Sequence, residues 1–199
     1  TIRAGGWPKG EYLLPGNVRE MTLGLYGFGG AARCLYDIFH KGFGTKIITC
    51  DPYVPQEQRA QYEAQFVDFE ELLQRSDILS IHAPLTEETY HIFNRDTFRK
   101  MKNNAMIINT ARGPLIDQDA LAWALENGEI RYAGLDTVEQ EPISPDSPLL
   151  KLDNVLLTPH SGFYGERSKR TQIQMVCELV PHAVSAGELP RRHVANQAV

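Results

Sequence analysis

Between Thr22 and His160 the chain alternates short apolar runs with stretches of helical periodicity, and this limits the folds open to it. The runs TLGLYG, KIITC, QFVD, DILSIH, AMIIN, YAGLD and NVLLTP are too short for helices and rich in aliphatic and β-branched side chains. Apolar runs without alternation suit strands buried on both faces, the usual state of a parallel sheet. Six or seven such strands joined by helices predict an α/β fold, a doubly wound and mainly parallel sheet of the Rossmann type with right-handed crossovers.

The connecting segments read as helices with identifiable ends. In GGAARCLYDIFHKG, Ala32, Leu35, Ile38 and Phe39 share one face. A short helix is expected over Gln56–Ala64, another in FEELLQRS, and a third in FNRDTFRKM, capped by Asn94. DQDALAWALENG starts at the cap Asp117 and stops at Gly128. Residues 165–187 read as one long helix ahead of a polar tail.

Composition excludes several classes of protein. With 199 residues, 42% hydrophobic and 23% charged, the chain supports one well-buried core but is short for two full domains. The net charge of −5 and the lack of a basic run argue against nucleic acid or an anionic membrane as partner. Arg191, Arg192 and His193 form a small basic cluster that a solvated tail explains. No apolar run approaches the roughly 20 residues that span a bilayer, and no signal-peptide core opens the sequence, so the cytoplasm is the default location. Cys34, Cys50 and Cys177 are odd in number and lack CxxC spacing, which suggests neither a disulfide framework nor a metal site. Each is expected to be a small buried hydrophobe in a reducing compartment.

The turn Gly27-Phe28-Gly29-Gly30-Ala31-Ala32 follows a strand and opens a helix. In a dinucleotide site the first glycine makes the tight turn and the second admits the pyrophosphate. The third position must be small, and Ala32 meets that need. Free N–H groups and partial positive charge at the helix start would then face the phosphates. Glycine turns also arise for packing alone, but Asp51 ends the next strand 24 residues after Gly27, where a ribose ligand belongs. A cap beside Pro52 is the other reading of Asp51. As a ribose ligand it would accept the hydroxyls and repel a 2′-phosphate, favouring NAD over NADP.

A second group of residues lies where three later runs end. Arg112 follows AMIIN, Asp136 follows YAGL with Glu141 soon after, and His160 follows NVLLTP. Strand ends on one edge of a parallel sheet converge on one cleft. There a guanidinium can hold a carboxylate in bidentate fashion, and an imidazole beside a carboxylate can act as general acid or base. A surface ion pair for Arg112 and a structural role for His160 stay open, and the spacing does not require Glu141 and His160 to touch. Histidines 40, 91, 182 and 193 read as structural. His82 ends a strand and is expected on the cofactor side.

The motifs GLYGFGGAA, CDPY, HAPLTEETYHIFN, MIINTARGPLIDQDALAWAL, AGLDTVEQEP and LLTPHSG, in that order, resemble the D-isomer-specific 2-hydroxyacid dehydrogenase family over about Gly6 to Asn196. The resemblance implies an oxidoreductase that moves a hydride between NAD and a small 2-hydroxy or 2-oxo acid. It implies Arg112 as the binder of the oxo acid, His160 as acid/base and Glu141 as its partner. NAD would be held by Gly27, Gly29, Gly30, Ala31, Asp51, Pro84, Thr89, Thr110, Asp136 and Gly162, with no metal. Gly30 and Ala31 stand where the family usually has a larger basic residue and isoleucine. PHSGFYGERS is similar to the C-terminal-binding-protein branch, with Phe163 where that branch has tryptophan.

Members of the family begin with a substrate-binding domain, and this chain resembles the cofactor-binding part that comes after it. Residues 1–20 are then a lead-in segment from the missing substrate domain, 21–164 the dinucleotide-binding domain, and 165–199 a helix and tail returning to the substrate domain. On this reading the chain alone binds NAD but turns over poorly, its particular 2-hydroxy acid is set by residues outside it, and a homodimer is implied by resemblance. The alternative is an NAD-sensing binding protein of the corepressor type. A remnant that no longer holds nucleotide is a third reading.

Overall fold

β1 (Thr22–Tyr26) pairs in parallel with β2 (Lys46–Cys50) on one side and with β4 (Ile78–Ile81) on the other. The chain therefore winds outward from β1 in both directions, and β3 (Gln65–Phe66), β5 (Met106–Asn109), β6 (Tyr132–Leu135) and β7 (Val155–Leu157) complete a seven-stranded parallel sheet in the order β3-β2-β1-β4-β5-β6-β7. This is the doubly wound sheet expected from the alternation of strands and helices, and its reversal point lies between β1 and β4. The computed structural model describes residues 17–186. Trp7 and the basic cluster at 191–193 lie outside that range.

Burial follows the sheet. β1, β2 and β4 are covered on both faces, with Leu23, Leu25, Ile47, Ile48, Leu79 and Ile81 at most 2% exposed. Farther along, only alternate residues are covered: Ile107 and Asn109 in β5, Ala133 and Leu135 in β6. Leu156 of β7 is 69% exposed. The expectation of strands buried on both faces thus holds for the centre of the sheet and fails at β5–β7.

The two helices with expected caps, at Asn94 and Asp117, begin there, and a third cap emerges at Asp68. Asp68 accepts the Glu71 amide ahead of α3 (Phe69–Arg75), and Asp117 accepts that of Ala120 ahead of α5 (Gln118–Glu126). Asn94 and Thr97 form a reciprocal capping box at α4 (Arg95–Phe98). Two expectations are corrected. The helix expected over Gln56–Ala64 stops at Arg59 (α2, Gln56–Arg59). α1 (Gly30–Tyr36) continues as a π-helical turn over Asp37–Phe43; the wider winding rotates the register, so Tyr36 is buried while Ile38 is 57% exposed. The cysteines also depart from expectation: all three are free, but Cys34 and Cys177 are exposed and Cys50 is half-buried.

The chain divides into two compact units, Thr1–Pro159 and His160–Val199. Described alone, the second unit carries α6 (Glu166–Ala186), an exposed helix with Ile173, Val176 and Val180 on one stripe and Pro181 within it. Among the described residues no helix is long and apolar enough to cross a membrane.

Candidate functional site

The glycine turn sits at the reversal point because β1 ends there with a residue no side chain could replace. Gly27 has φ +90°, donates its amide to Cys50 O at 2.9 Å, and lies so near β4's exit that a Cβ would come within 2.8 Å of the Ala83 nitrogen. Phe28, between the glycines, points away from the opening. It is 0% exposed and meets the rings of Tyr36, Tyr62 and Phe66 edge-on, with centroids 6.1, 4.9 and 5.4 Å away. With Phe28 anchored, Gly29 and Gly30 face outward, and a Cβ on either would meet nothing within 4 Å. Gly29 is the N-cap of α1, so the room in front of these glycines adjoins the helix's free N–H groups.

Asp51, just past β2, is tied to the turn. Its Oδ2 accepts the Phe28 amide at 2.7 Å and its Oδ1 accepts the Tyr53 amide at 2.9 Å. Each oxygen keeps a lone pair for a further donor. The cap reading and the ligand reading of Asp51 are therefore compatible. A cavity of about 650 Å³, lined among others by Gly27, Asp51, Tyr53, Pro84, Glu88 and Thr89, opens here, a volume ordinary for a small-molecule site. Thr89 is tied into its wall, with Oγ1 donating to Pro84 O at 2.8 Å. Tyr26 forms part of the lining. Burial, and then the nearby Cys50, Tyr53, Asp51 and Glu88, push its phenol up to about 12, so it stays neutral. Turn, helix start and a carboxylate aimed at the cavity fit a dinucleotide with free ribose hydroxyls.

His82 contributes less to this cavity than its position suggested. Its ring folds back to Ser80, Nε2 lying 3.0 Å from Oγ, and burial lowers its pKa below the usual value. It thus sits as a neutral, hydrogen-bonded group beneath the turn.

Arg112 and Glu141 occupy adjoining loops. Asn109, the last residue of β5, accepts the Ala111 amide and donates to Arg112 O, which shapes the turn carrying the guanidinium. Arg112 Nη1 donates to Ala111 O at 2.7 Å, in an exposed setting. The next residue, Gly113, packs on the loop after β6 so tightly that a Cβ would lie 1.9 Å from Val138 O. Glu141 is exposed at the end of that loop, where its Oε1 accepts the Val138 amide at 3.2 Å, and the Glu141–Pro142 bond is cis. Thr110 and Asp136, expected near the cofactor, line a separate groove of about 510 Å³ along β5–β7, where Thr158 Oγ1 donates to Asp136 Oδ1 at 2.5 Å.

His160 and Gly162 belong to the second unit. His160 has φ 48°, and its ring meets Phe163 edge-on with centroids 6.1 Å apart. Among the described residues no group of histidine, cysteine and carboxylate side chains could hold a metal ion. Reading the sequence missed Phe28 as an anchor and Tyr53 and Glu88 as cavity lining. Phe28 occupies a variable position of the turn motif, and the other two lie in polar loops, within the motifs CDPY and HAPLTEETYHIFN but with no role marked by them.

Comparison with known proteins bears on this geometry. A family model described as "D-isomer specific 2-hydroxyacid dehydrogenase, NAD binding domain" matches residues 1–162. A glyoxylate reductase from Korarchaeum cryptofilum is 40% identical over 203 residues, covering 100% of this chain and 60% of the relative. A glyoxylate/hydroxypyruvate reductase B from Escherichia coli is 42% identical, covering 81% of this chain and 50% of the relative. Among solved structures, a glyoxylate reductase from Paecilomyes thermophila aligns with TM-score 0.85 at 36% identity, over 95% of this chain and 56% of that one. A D-lactate dehydrogenase with NAD+ from Lactobacillus jensenii aligns with TM-score 0.82 at 31% identity, over 94% and 59%. The chain therefore spans between half and 60% of the length of these curated relatives.

Proposed function

Since the chain belongs to the D-isomer specific 2-hydroxyacid dehydrogenases as their NAD-binding domain, we propose that it holds NAD for the interconversion of a small 2-hydroxy acid and its 2-oxo acid. The observation that carries this reading is the cavity at the glycine turn, lined by an Asp51 carboxylate that the Phe28 and Tyr53 amides fix in place. Gly27, Gly29, Gly30 and Ala31 would receive the pyrophosphate, Asp51 the ribose hydroxyls, and Pro84 and Thr89 the wall beside them. Thr110, Asp136 and Gly162 are assigned to NAD by family resemblance.

When bound, NAD supplies the nicotinamide carbon that gives or takes the hydride. The chain's own residues do the rest. Arg112, at the tip of its turn, would bind the substrate carboxylate in bidentate fashion and polarise the adjacent carbonyl. His160 would donate a proton to the carbonyl oxygen in reduction and accept it in oxidation, with Glu141 as its partner. Glyoxylate and hydroxypyruvate, named in the relatives, are the first substrates to try. Homodimerisation and a cytoplasmic location are part of the same proposal.

Calorimetric titration with NADH and NADPH tests the cofactor half of the reading: NADH binds saturably and NADPH at least about tenfold more weakly. Following NADH oxidation by the full-length protein with a panel of 2-oxo acids tests the other half. Binding without oxidation of NADH by any acid would favour the corepressor-type reading, and absence of binding would remove both.

A further inference from the structure

The structure assigns His91 and Glu139 a positioning role: their side chains join the loop that walls the cofactor cavity to the two loops that carry Arg112 and Glu141. This rests on the function proposed above and adds a coupling between cofactor and substrate residues. His91 lies between Thr89 and Ile92, both of which line the cavity at the glycine turn. Its Nε2–H donates to Glu139 Oε1 at 2.8 Å, since a carboxylate can only accept. The other oxygen of Glu139 accepts the backbone amide of Gln118, the first residue of α5, at 3.3 Å. Both oxygens of one half-buried carboxylate are thus engaged by different segments.

Backbone contacts make the junction tight. His91 has φ 49°, and its amide donates to Pro114 O at 2.9 Å, two residues beyond Arg112. Phe93 then bridges in parallel to Ile116, and the Asp117 amide donates to Phe93 O. On the far side, Gly113 leaves no room for a Cβ against Val138 and Glu139. The imidazole stacks on Tyr90 with centroids 3.9 Å apart, which holds the ring in the plane needed to reach Glu139. A shift of the 84–92 segment on cofactor binding is therefore delivered through His91 to Glu139, and from there to the loop ending at Glu141. Contiguous hydrogen-bonded and packed groups of this kind can carry coupling between sites.

Hydrogen exchange on this chain, with and without saturating NADH, reads the coupling without needing turnover. In the wild type, NADH protects amides of both 84–92 and 137–141, the latter by about fivefold or more. His91→Phe keeps a ring to stack on Tyr90 but removes the donor; protection at 84–92 persists while that at 137–141 falls below about twofold. His91→Gln, which restores an N–H donor at similar reach, recovers much of it. If His91→Phe does not fold, Glu139→Leu, which removes both acceptor oxygens, is read in its place with the same expectation. Equal NADH-dependent protection at 137–141 in wild type and His91→Phe, or none there in the wild type despite protection at 84–92, overturns the inference. Protection at neither segment overturns the NAD reading and the coupling together.

Discussion

Asp51 Oδ2 accepts the Phe28 amide at 2.7 Å, which joins the acidic end of β2 to the middle of the glycine turn. One carboxylate therefore shapes the turn and presents charge to the cavity. Asp51→Asn is isosteric but removes the charge and replaces one acceptor by a donor, so it keeps only one of the two amide contacts. NADH affinity is expected to fall about tenfold, or about 1.4 kcal/mol, while NADPH affinity holds or improves. Parallel calorimetric titrations of the two nucleotides check this; an unchanged NADH-to-NADPH ratio would show that Asp51 does not face the ribose.

Gly27 combines φ +90° with contact on the Ala83 backbone. Gly27→Ala introduces both strain and overlap, with an expected loss of about 2 kcal/mol. Urea unfolding followed by far-ultraviolet dichroism measures it. Gly29→Ala, where a Cβ meets nothing within 4 Å, should leave stability within about 0.5 kcal/mol and weaken NADH binding instead.

Phe28 is buried among Tyr36, Tyr62 and Phe66. Phe28→Ala is expected to cost about 3–5 kcal/mol, as for other buried aromatics. Phe28→Leu, which refills most of the volume, should cost clearly less. Equal midpoints for the two variants in denaturant would contradict the anchoring role.

Two buried groups set opposite limits on the pH range of stability. His82 has its pKa lowered by burial from 6.5, so the unfolded chain binds its proton first. Its contribution is present above pH 6.5 and is lost as pH falls below it. Tyr26 has its pKa raised from 10.0 to about 12, so the folded state holds the proton longer. Its contribution, about 3 kcal/mol, is present below pH 10 and is lost as pH rises toward 12. Unfolding free energies across pH 5–11 should fall at both ends. His82→Gln should flatten the acid limb and Tyr26→Phe the alkaline one.

Much of the fold was legible because its determinants are local. The caps Asn94 and Asp117 lie within three residues of the amides they accept. The strands declare themselves by unbroken apolar runs. Local pattern failed where winding or neighbours intervened: the π-turn after Tyr36 rotated Ile38 out of the core, and Cys34 and Cys177 fell on exposed faces of helices. The candidate site was legible to the same extent. Gly27 and Asp51 could be paired from a spacing, whereas His91 and Glu139 stand 48 residues apart with no motif to join them.

By itself the sequence determined the strand–helix alternation, the parallel sheet, the turn that receives a dinucleotide and the acidic residue beyond it. All of these arise from backbone preferences and periodicities that span a few residues. Tertiary structure alone decided that Phe28 anchors the turn, that β5–β7 are covered on one face only, and that a single carboxylate ties three loops together. Those outcomes depend on which distant segments the crossovers bring side by side, and on desolvation and close packing, which no short stretch of chain encodes.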